Sequence, residues 1–237
     1  MSSTELENFE RALVVMAHPD DAEFSSAGTI ALWTDRGVEV NYVICTDGAA
    51  GAADPTIKQA QLASIREVEQ REAADVLGVK DIVFLRQPDG RLRVTDELRR
   101  DVVRLIRKYR PDLIVCQNAV RNYSNIYGNH PDHLAAGQLA IEAVYPYARN
   151  PHAYPELLAD GLQPHSVREV LVAGTEAPDH FVDVTTTVDR KVAALARHRS
   201  QHIPGQDFSV RVLERMAKMG EPHGIAYAES FRRLMSA

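Results

Sequence analysis

Five short aliphatic runs, Ala12 to Ala17, Val38 to Cys45, Ile82 to Leu85, Leu113 to Cys116 and Val167 to Ala173, recur along the chain with longer helix-like segments between them. Short β-branched and aliphatic runs without polar alternation suit strands covered on both faces, and the lengths between them suit crossover helices. That rhythm predicts an α/β fold, a Rossmann-like parallel sheet flanked by helices, built from successive βα units as one domain over residues 1–237. Punctuation agrees. Gly37 and Gly78 stand where helices should stop, Thr95 can cap the helix after it, and Pro111 closes that helix before the next strand. The stretch Tyr145 to His165, rich in proline and aromatics, reads as a long surface crossover, with a lid over a site as the sharper alternative. After Asp183 the sequence reads as helical, most clearly over Val188 to His198 and Val210 to Met219.

The first and fourth runs end alike. His18-Pro19-Asp20-Asp21 follows the first, and His130-Pro131-Asp132-His133 follows the fourth after a loop of about a dozen residues. Each places His-Pro-Asp ahead of a helix, with proline suited to the first helical turn and aspartate to the positive N-terminal end. In a doubly wound sheet of order 3-2-1-4-5, strands 1 and 4 are neighbours and their onward connections diverge, so ligands sit in the crevice between them. His18, Asp20, Asp21, His130, Asp132 and His133 would converge there. Two imidazoles and one carboxylate, with a fourth position left to water, form a common catalytic zinc shell. The spacings His18-x-x-Asp21 and His130-x-x-His133 let each pair face one site, and one acidic and one imidazole group remain for proton transfer.

Composition narrows the classes. At 45% hydrophobic and 25% charged residues over 237 positions, the chain reads as a soluble globular protein with a sizeable core, and its apolar runs are too short to span a bilayer. A formal net charge of -6 argues against nucleic-acid and anionic-membrane partners. The arginine-rich segment Arg91 to Arg110 reads as a solvated helix face with acidic partners interleaved. The opening "MSSTELENFERALVV" has no basic start followed by a long apolar core, so the expected location is cytoplasmic. Cys45 and Cys116 each close an apolar run and read as small buried hydrophobes.

In chain order, "AHPDD", "TDG" at Thr46 to Gly48, "REVEQREAADVLG" at Arg66 to Gly78, "PDG" at Pro88 to Gly90, "HPDH", "HRSQ" at His198 to Gln201 and "YAESF" at Tyr227 to Phe231 span nearly the whole chain. Through them the protein resembles the LmbE-like, PIG-L type zinc de-N-acetylases, which remove acetyl groups from N-acetylglucosamine-containing substrates. The resemblance implies an LmbE-like fold, one zinc per chain with iron(II) as the alternative ion, and a small N-acetylated substrate. It implies His18, Asp21 and His133 as metal ligands, Asp20 as general base, and His130 as the group assisting the oxyanion and leaving amine. Asp132 would hold an imidazole in orientation, and Arg66 and Asp89 would contact substrate, the latter at a sugar hydroxyl. Relatives often form homo-oligomers; the sequence marks no interface. Two departures are visible: where the family commonly has "AHPDDE", Ala22 intervenes and the acidic residue becomes Glu23, and where some relatives place a tyrosine two positions before the first histidine of the second motif, Gly128 stands, with Tyr127 one further back.

Rival readings keep fewer of these residues. An amidase acting on a thiol conjugate or another non-sugar amide would use the same centre. A metallophosphoesterase generally needs two metals about 3.5–4 Å apart and a longer ligand series than the one visible. A dinucleotide-binding module needs Gly-x-Gly-x-x-Gly after the first strand, where His18-Pro19-Asp20 stands instead.

Overall fold

A strand covered on both faces sorts its side chains by parity, and β1 (Arg11–Met16) does so: Leu13 and Val15 join one apolar cluster, while Ala12, Val14 and Met16 join the other. The computed structural model describes residues 9–52, 54, 56–202 and 208–236, so the first eight positions of the opening stretch lie outside it. From β1 the chain runs through α1 (Asp21–Asp35), β2 (Glu39–Thr46), α2 (Gln59–Leu77), β3 (Asp81–Gln87), α3 (Asp96–Tyr109), β4 (Leu113–Gln117) and α4 (Pro131–Glu142). It continues through α5 (Pro155–Ala159), β5 (Glu169–Ala173), β6 (His180–Asp183), α6 (Val188–Leu195), α7 (Phe208–Gly220) and β7 (Ala228–Met235). The sheet order is β3-β2-β1-β4-β5-β7-β6, with the first five strands parallel and β7 antiparallel to both β5 and β6. Side chains of α3 and α4 complete one apolar layer; those of α1, α2 and α6 complete the other.

All five aliphatic runs are strands, and β1 and β4 are the neighbours from which the connections diverge. Thr95 caps α3 by accepting from the Leu98 amide, and Gly37 and Gly78 take left-handed φ of 84° and 76° beyond α1 and α2. Cys45 and Cys116 are buried and unbridged, with burial pushing both thiols up to about 12. Among the described residues no helix is long and apolar enough to cross a membrane.

Two strands escape the sequence reading. β6 and β7 lack an aliphatic run because charge does part of the pairing: Arg233 of β7 makes a two-pronged bond of 2.9 Å to Glu169 of β5, and Leu234 and Met235 are exposed. The basic segment also needs correcting at one position. Arg99 and Arg104 pair with Glu142 and Asp160 as a solvated face should, but Arg107 is buried. Its guanidinium donates to the carbonyls of Tyr147, Ala148, Asn150 and Ala153, which gathers the crossover after α4 against α3. The stretch Tyr145 to His165 is therefore a packed crossover, and none of it lines the cavity described below.

Two close approaches fix the helices that matter most. Glu229 of β7 accepts from the amides of Gly28 and Thr29 in the middle of α1 at 3.0 and 2.8 Å. Lys191 of α6 donates to Glu229 at 2.6 Å and to the Phe24 carbonyl of the same helix at 2.8 Å. On the other face, α4 lies so near the end of β4 that a Cβ at Gly137 would stand 2.2 Å from the Gln117 carbonyl oxygen. Only glycine fits there without moving backbone. Gly137→Ala should therefore lower stability by about 1–3 kcal/mol despite alanine's better helix propensity. Urea titration monitored by circular dichroism checks it, and an unchanged midpoint would contradict the contact.

Candidate metal centre and active site

The crevice between β1 and β4 is tied shut at its base by Gln117, whose side-chain oxygen accepts from the Ala17 amide at 2.9 Å. Immediately afterwards the chain reverses. Asp20 adopts a φ of 95°, a left-handed conformation that non-glycine residues enter only when held there, at a cost of about 1–3 kcal/mol. Three contacts hold it: its amide donates to Gln70 of α2 at 2.9 Å, and Arg66 donates to both the Pro19 carbonyl and the Asp20 carboxylate, the latter at 3.2 Å. The two His-Pro-Asp motifs thus differ. Pro131 occupies the first turn of α4 as expected, whereas Pro19 precedes the bend and α1 begins only at Asp21, because the left-handed residue must come between them.

The second motif is presented by a loop that hydrogen-bonds to itself. Asn122 accepts from the amides of Ser124 and Asn125, and Asn129 accepts from the amide of Asn122. His130 then caps α4, its Nδ1 accepting from the Asp132 amide at 3.2 Å. That use of Nδ1 puts the proton of the neutral ring on Nε2, as a donor.

Three groups meet at the mouth of the crevice. His18 Nδ1 lies 3.2 Å from His133 Nε2 and 3.3 Å from Asp21 Oδ2, and His133 Nε2 lies 3.2 Å from Asp21 Oδ1. Asp21 turns one oxygen to each imidazole, and the two nitrogens stand 3.2 Å apart, close to the roughly 3.3–3.4 Å between two ligand atoms on a tetrahedral ion with bonds of about 2.0–2.1 Å. His130 stands beside it, its ring centroid 4.7 Å from that of His18 and 5.0 Å from that of His133. The opposite edge of His18 is held by carboxylates, with Nε2 3.1 Å from Asp89 and 3.3 Å from Asp132. Asp132 is fully buried and accepts in addition from the amides of Gly90 and Leu92 at 2.6 and 3.1 Å, while Asp89 accepts from the Ala50 amide. Carboxylate behind imidazole is the usual support of a metal ligand.

Electrostatics agree with a site built for positive charge. Burial disfavours a charged His18, but Asp21 and Asp89 outweigh it and raise its pKa to about 10. Asp21 is held far below the usual carboxylate range: burial opposes its ionisation, and the hydrogen bonds of His133 and His18 overcome that. Asp20 moves the other way, up to about 7, because burial and the charge of Asp21 outweigh the attraction of Arg66. Burial and the neighbouring His18 and His133 keep His130 below the ordinary imidazole value.

Arg66 is buried and spends its terminal nitrogens on Pro19, Gly48 and Asp20; a Cβ at Gly48 would stand 2.8 Å from it. Five polar residues around this network carried no assigned role in the sequence reading. Gln70 donates to Glu23 at 3.0 Å, Glu23 meets His198 Nε2 at 3.2 Å, and Glu69 binds the amide and hydroxyl of Ser200. The signal was present: Arg66, Glu69 and Gln70 share the α2 face that further on buries Ala73, Ala74 and Leu77, and polar residues on a core face call for partners. The displaced Glu23 is the group that joins α2 to the segment after α6. A cavity of about 740 Å³ opens from Asp21 and His133, passes His198, and is walled on its far side by α7.

Residues 13–144 match the family described as PIG-L: GlcNAc-PI de-N-acetylase. A diacetylchitobiose deacetylase from Thermococcus kodakarensis is 37% identical over 192 residues, covering 81% of this chain and 70% of that protein. A Bacillus anthracis protein described as "Probable N-acetyl-alpha-D-glucosaminyl L-malate deacetylase 2" is 31% identical, covering 88% and 86% of the two chains. The structure of N,N'-diacetylchitobiose deacetylase from Pyrococcus horikoshii superposes with a TM-score of 0.91 at 32% identity, covering all of this chain and 88% of that one.

Two outcomes follow from the geometry. Asp132→Asn keeps the shape but removes the charge behind His18, and should weaken zinc binding by about 10- to 100-fold in a competition with a chromophoric chelator. Zinc uptake near neutral pH should also release protons, since His18 carries one below about 10 and a ligand must lose it. Indicator-dye titration measures that release; zinc uptake without it would contradict the charge state assigned to His18.

Proposed function

Because this chain belongs to the PIG-L family of GlcNAc-PI de-N-acetylases, we propose that it hydrolyses the acetamide of a small N-acetylglucosamine-type substrate, releasing acetate and a free amine, with zinc held by His18, Asp21 and His133. The observation that carries the reading is the pair of imidazole nitrogens 3.2 Å apart, each facing one oxygen of Asp21, with Asp20 adjoining it in sequence. Relatives that act on N-acetylglucosaminides, diacetylchitobiose among them, supply the substrate class. All strands among the described residues join one sheet, which supports reading 1–237 as one domain.

Bound zinc supplies a Lewis acid for the amide carbonyl and lowers the pKa of a water from 15.7 to about 7. Asp20, with its carboxyl near 7, accepts the proton of the attacking water and then carries it to the departing nitrogen. His130 donates through Nε2 to the oxygen that gains charge, a task suited to a neutral ring whose other nitrogen is fixed by the α4 amide. Asp89 and Asp132 orient His18, and the family resemblance gives Asp89 the further task of meeting a sugar hydroxyl. Arg66 and Gln70 hold Asp20 at its bend, a role for Arg66 that supports the proposed base.

Acetate release from diacetylchitobiose and N-acetylglucosaminides, with metal content measured on the same preparation, tests the reading directly. His18→Ala, Asp21→Ala and His133→Ala should each lose zinc on dialysis against a mild chelator; full retention in all three would overturn the ligand set. Asp20→Asn should keep its zinc and lose most of its kcat. His130→Ala should keep zinc and lose about 10²- to 10³-fold in kcat, with KM little changed. Since Asp20 must be ionised to accept a proton, wild-type kcat/KM should fall about tenfold per pH unit below about 7. A flat acid limb would remove Asp20 from the proton transfer.

A further inference from the structure

The cavity that opens from Asp21 and His133 contains a buried side chain whose hydrogen-bonding capacity is half used. Gln117 closes β4 and lines that cavity. Parity along the strand decides which way it points. Cys116 joins the apolar layer completed by α3 and α4, Val115 joins the layer completed by α1, and Gln117, two positions on from Val115, shares its side. There it meets the amide of Ala17, the residue before His18.

Chemistry fixes the orientation of the carboxamide. A backbone N–H can only donate, so the atom 2.9 Å from the Ala17 nitrogen is Oε1, and Nε2 with its two N–H bonds is left over. Among the described residues Nε2 has no acceptor, and it retains surface on the cavity that the residue lines. Neighbouring polar groups of the lining are spent on the protein itself. Lys191 donates to Glu229 and to the Phe24 carbonyl, and the Asn118 carboxamide is bound at both ends by the backbone of Val120. Gln117 is only 7% exposed, and a donor held that deep favours a partner able to accept. The acetamide oxygen is served elsewhere under the reading above, by His130, which does not line this cavity; nor does Asp20. The space beside Gln117 is therefore left for the remainder of the glycoside, whose hydroxyl oxygens are neutral acceptors that water imitates until the sugar replaces it.

We infer that Gln117 is a further substrate contact for the deacetylation, its Oε1 fixing Ala17 and its Nε2 donating to a hydroxyl oxygen of the bound sugar. This rests on the deacetylase reading above. One side chain then couples the placement of the strand end that carries His18 to the placement of the substrate.

Side-chain amide NMR of the zinc-loaded Asp20→Asn protein reads the contact directly, with the Gln117 resonance pair identified by its loss on adding Gln117→Glu. Saturating diacetylchitobiose, or the N-acetylglucosaminide that the wild type cleaves fastest, should move that pair and slow its proton exchange with water. Acetamide alone should leave it in place. An unmoved pair at saturation would overturn the contact, and a pair moved equally by acetamide would overturn its assignment to the sugar. Kinetics separate contact from support. Gln117→Met removes both roles, whereas Gln117→Glu keeps an acceptor for the Ala17 amide and removes only the donor. In otherwise wild-type protein, Gln117→Glu should retain zinc yet lose about tenfold or more in kcat/KM, chiefly through KM, and should not recover what Gln117→Met loses. Wild-type kinetics in Gln117→Glu would reduce Gln117 to a strut for Ala17 and sink the inference. A Gln117 amide moved by diacetylchitobiose that the wild type never cleaves would sink the deacetylase reading alone, whereas acetate release with the amide unmoved would sink only the contact.

Discussion

Buried negative charge at the ends of β1 and β4 is the constraint that the rest of the molecule answers. Asp21, Asp89 and Asp132 surround the single ring of His18, and a carboxylate taken out of water costs several kcal/mol unless donors and a counter-charge replace its hydration. The donors come from the backbone of several segments: the His18 amide on Asp21, the Ala50 amide on Asp89, and the Gly90 and Leu92 amides on Asp132. The loops after β1, β2 and β3 and the start of α4 are therefore organised around one point. The counter-charge is a proton on His18; under the proposed function a divalent ion beside it would serve the surrounding carboxylates equally.

Asp20 shows how that arrangement adjusts a neighbour. The left-handed bend places it between the ion site and Arg66, so that burial and Asp21 push its proton affinity up while Arg66 pulls it down, leaving it near neutrality. Arg66 needs space to reach Pro19 and Gly48 at once. Glycine at positions 48 and 51 provides it, since a Cβ at either would stand less than 3 Å from the guanidinium. What looks in sequence like a short turn motif is room made for a side chain arriving from α2.

How much of this was legible follows from what each residue depends on. The five parallel strands and the two histidine junctions were readable because a strand covered on both faces leaves an aliphatic run and its end is marked by proline and aspartate within a few positions. β6 and β7 were not, because their pairing relies on ions such as Arg233 with Glu169, whose partners lie 64 residues apart. Arg107 was misread for the same reason: its helix position is polar by composition, and the carbonyls that capture it belong to a crossover more than a turn's reach away. The meeting of the two histidine motifs was readable from local spacing plus one long-range inference, the adjacency of β1 and β4, whereas the choice of His18, Asp21 and His133 among them came from the family resemblance. The Glu23, Gln70 and His198 chain required three elements to be known together, and no local pattern encodes that.

The bond between Glu229 and the middle of α1 bears on the order in which the protein is made. Gly28 and Glu229 are 201 residues apart, so α1, the first helix among the described residues, stays without the partner of its buried turn until synthesis has run through α6 and into β7. Asp21 sits at the start of that helix. On the ribosome, the two histidine junctions are both complete long before the helix that begins at Asp21 is locked in place, which makes the final arrangement of the crevice a late event in the life of the nascent chain.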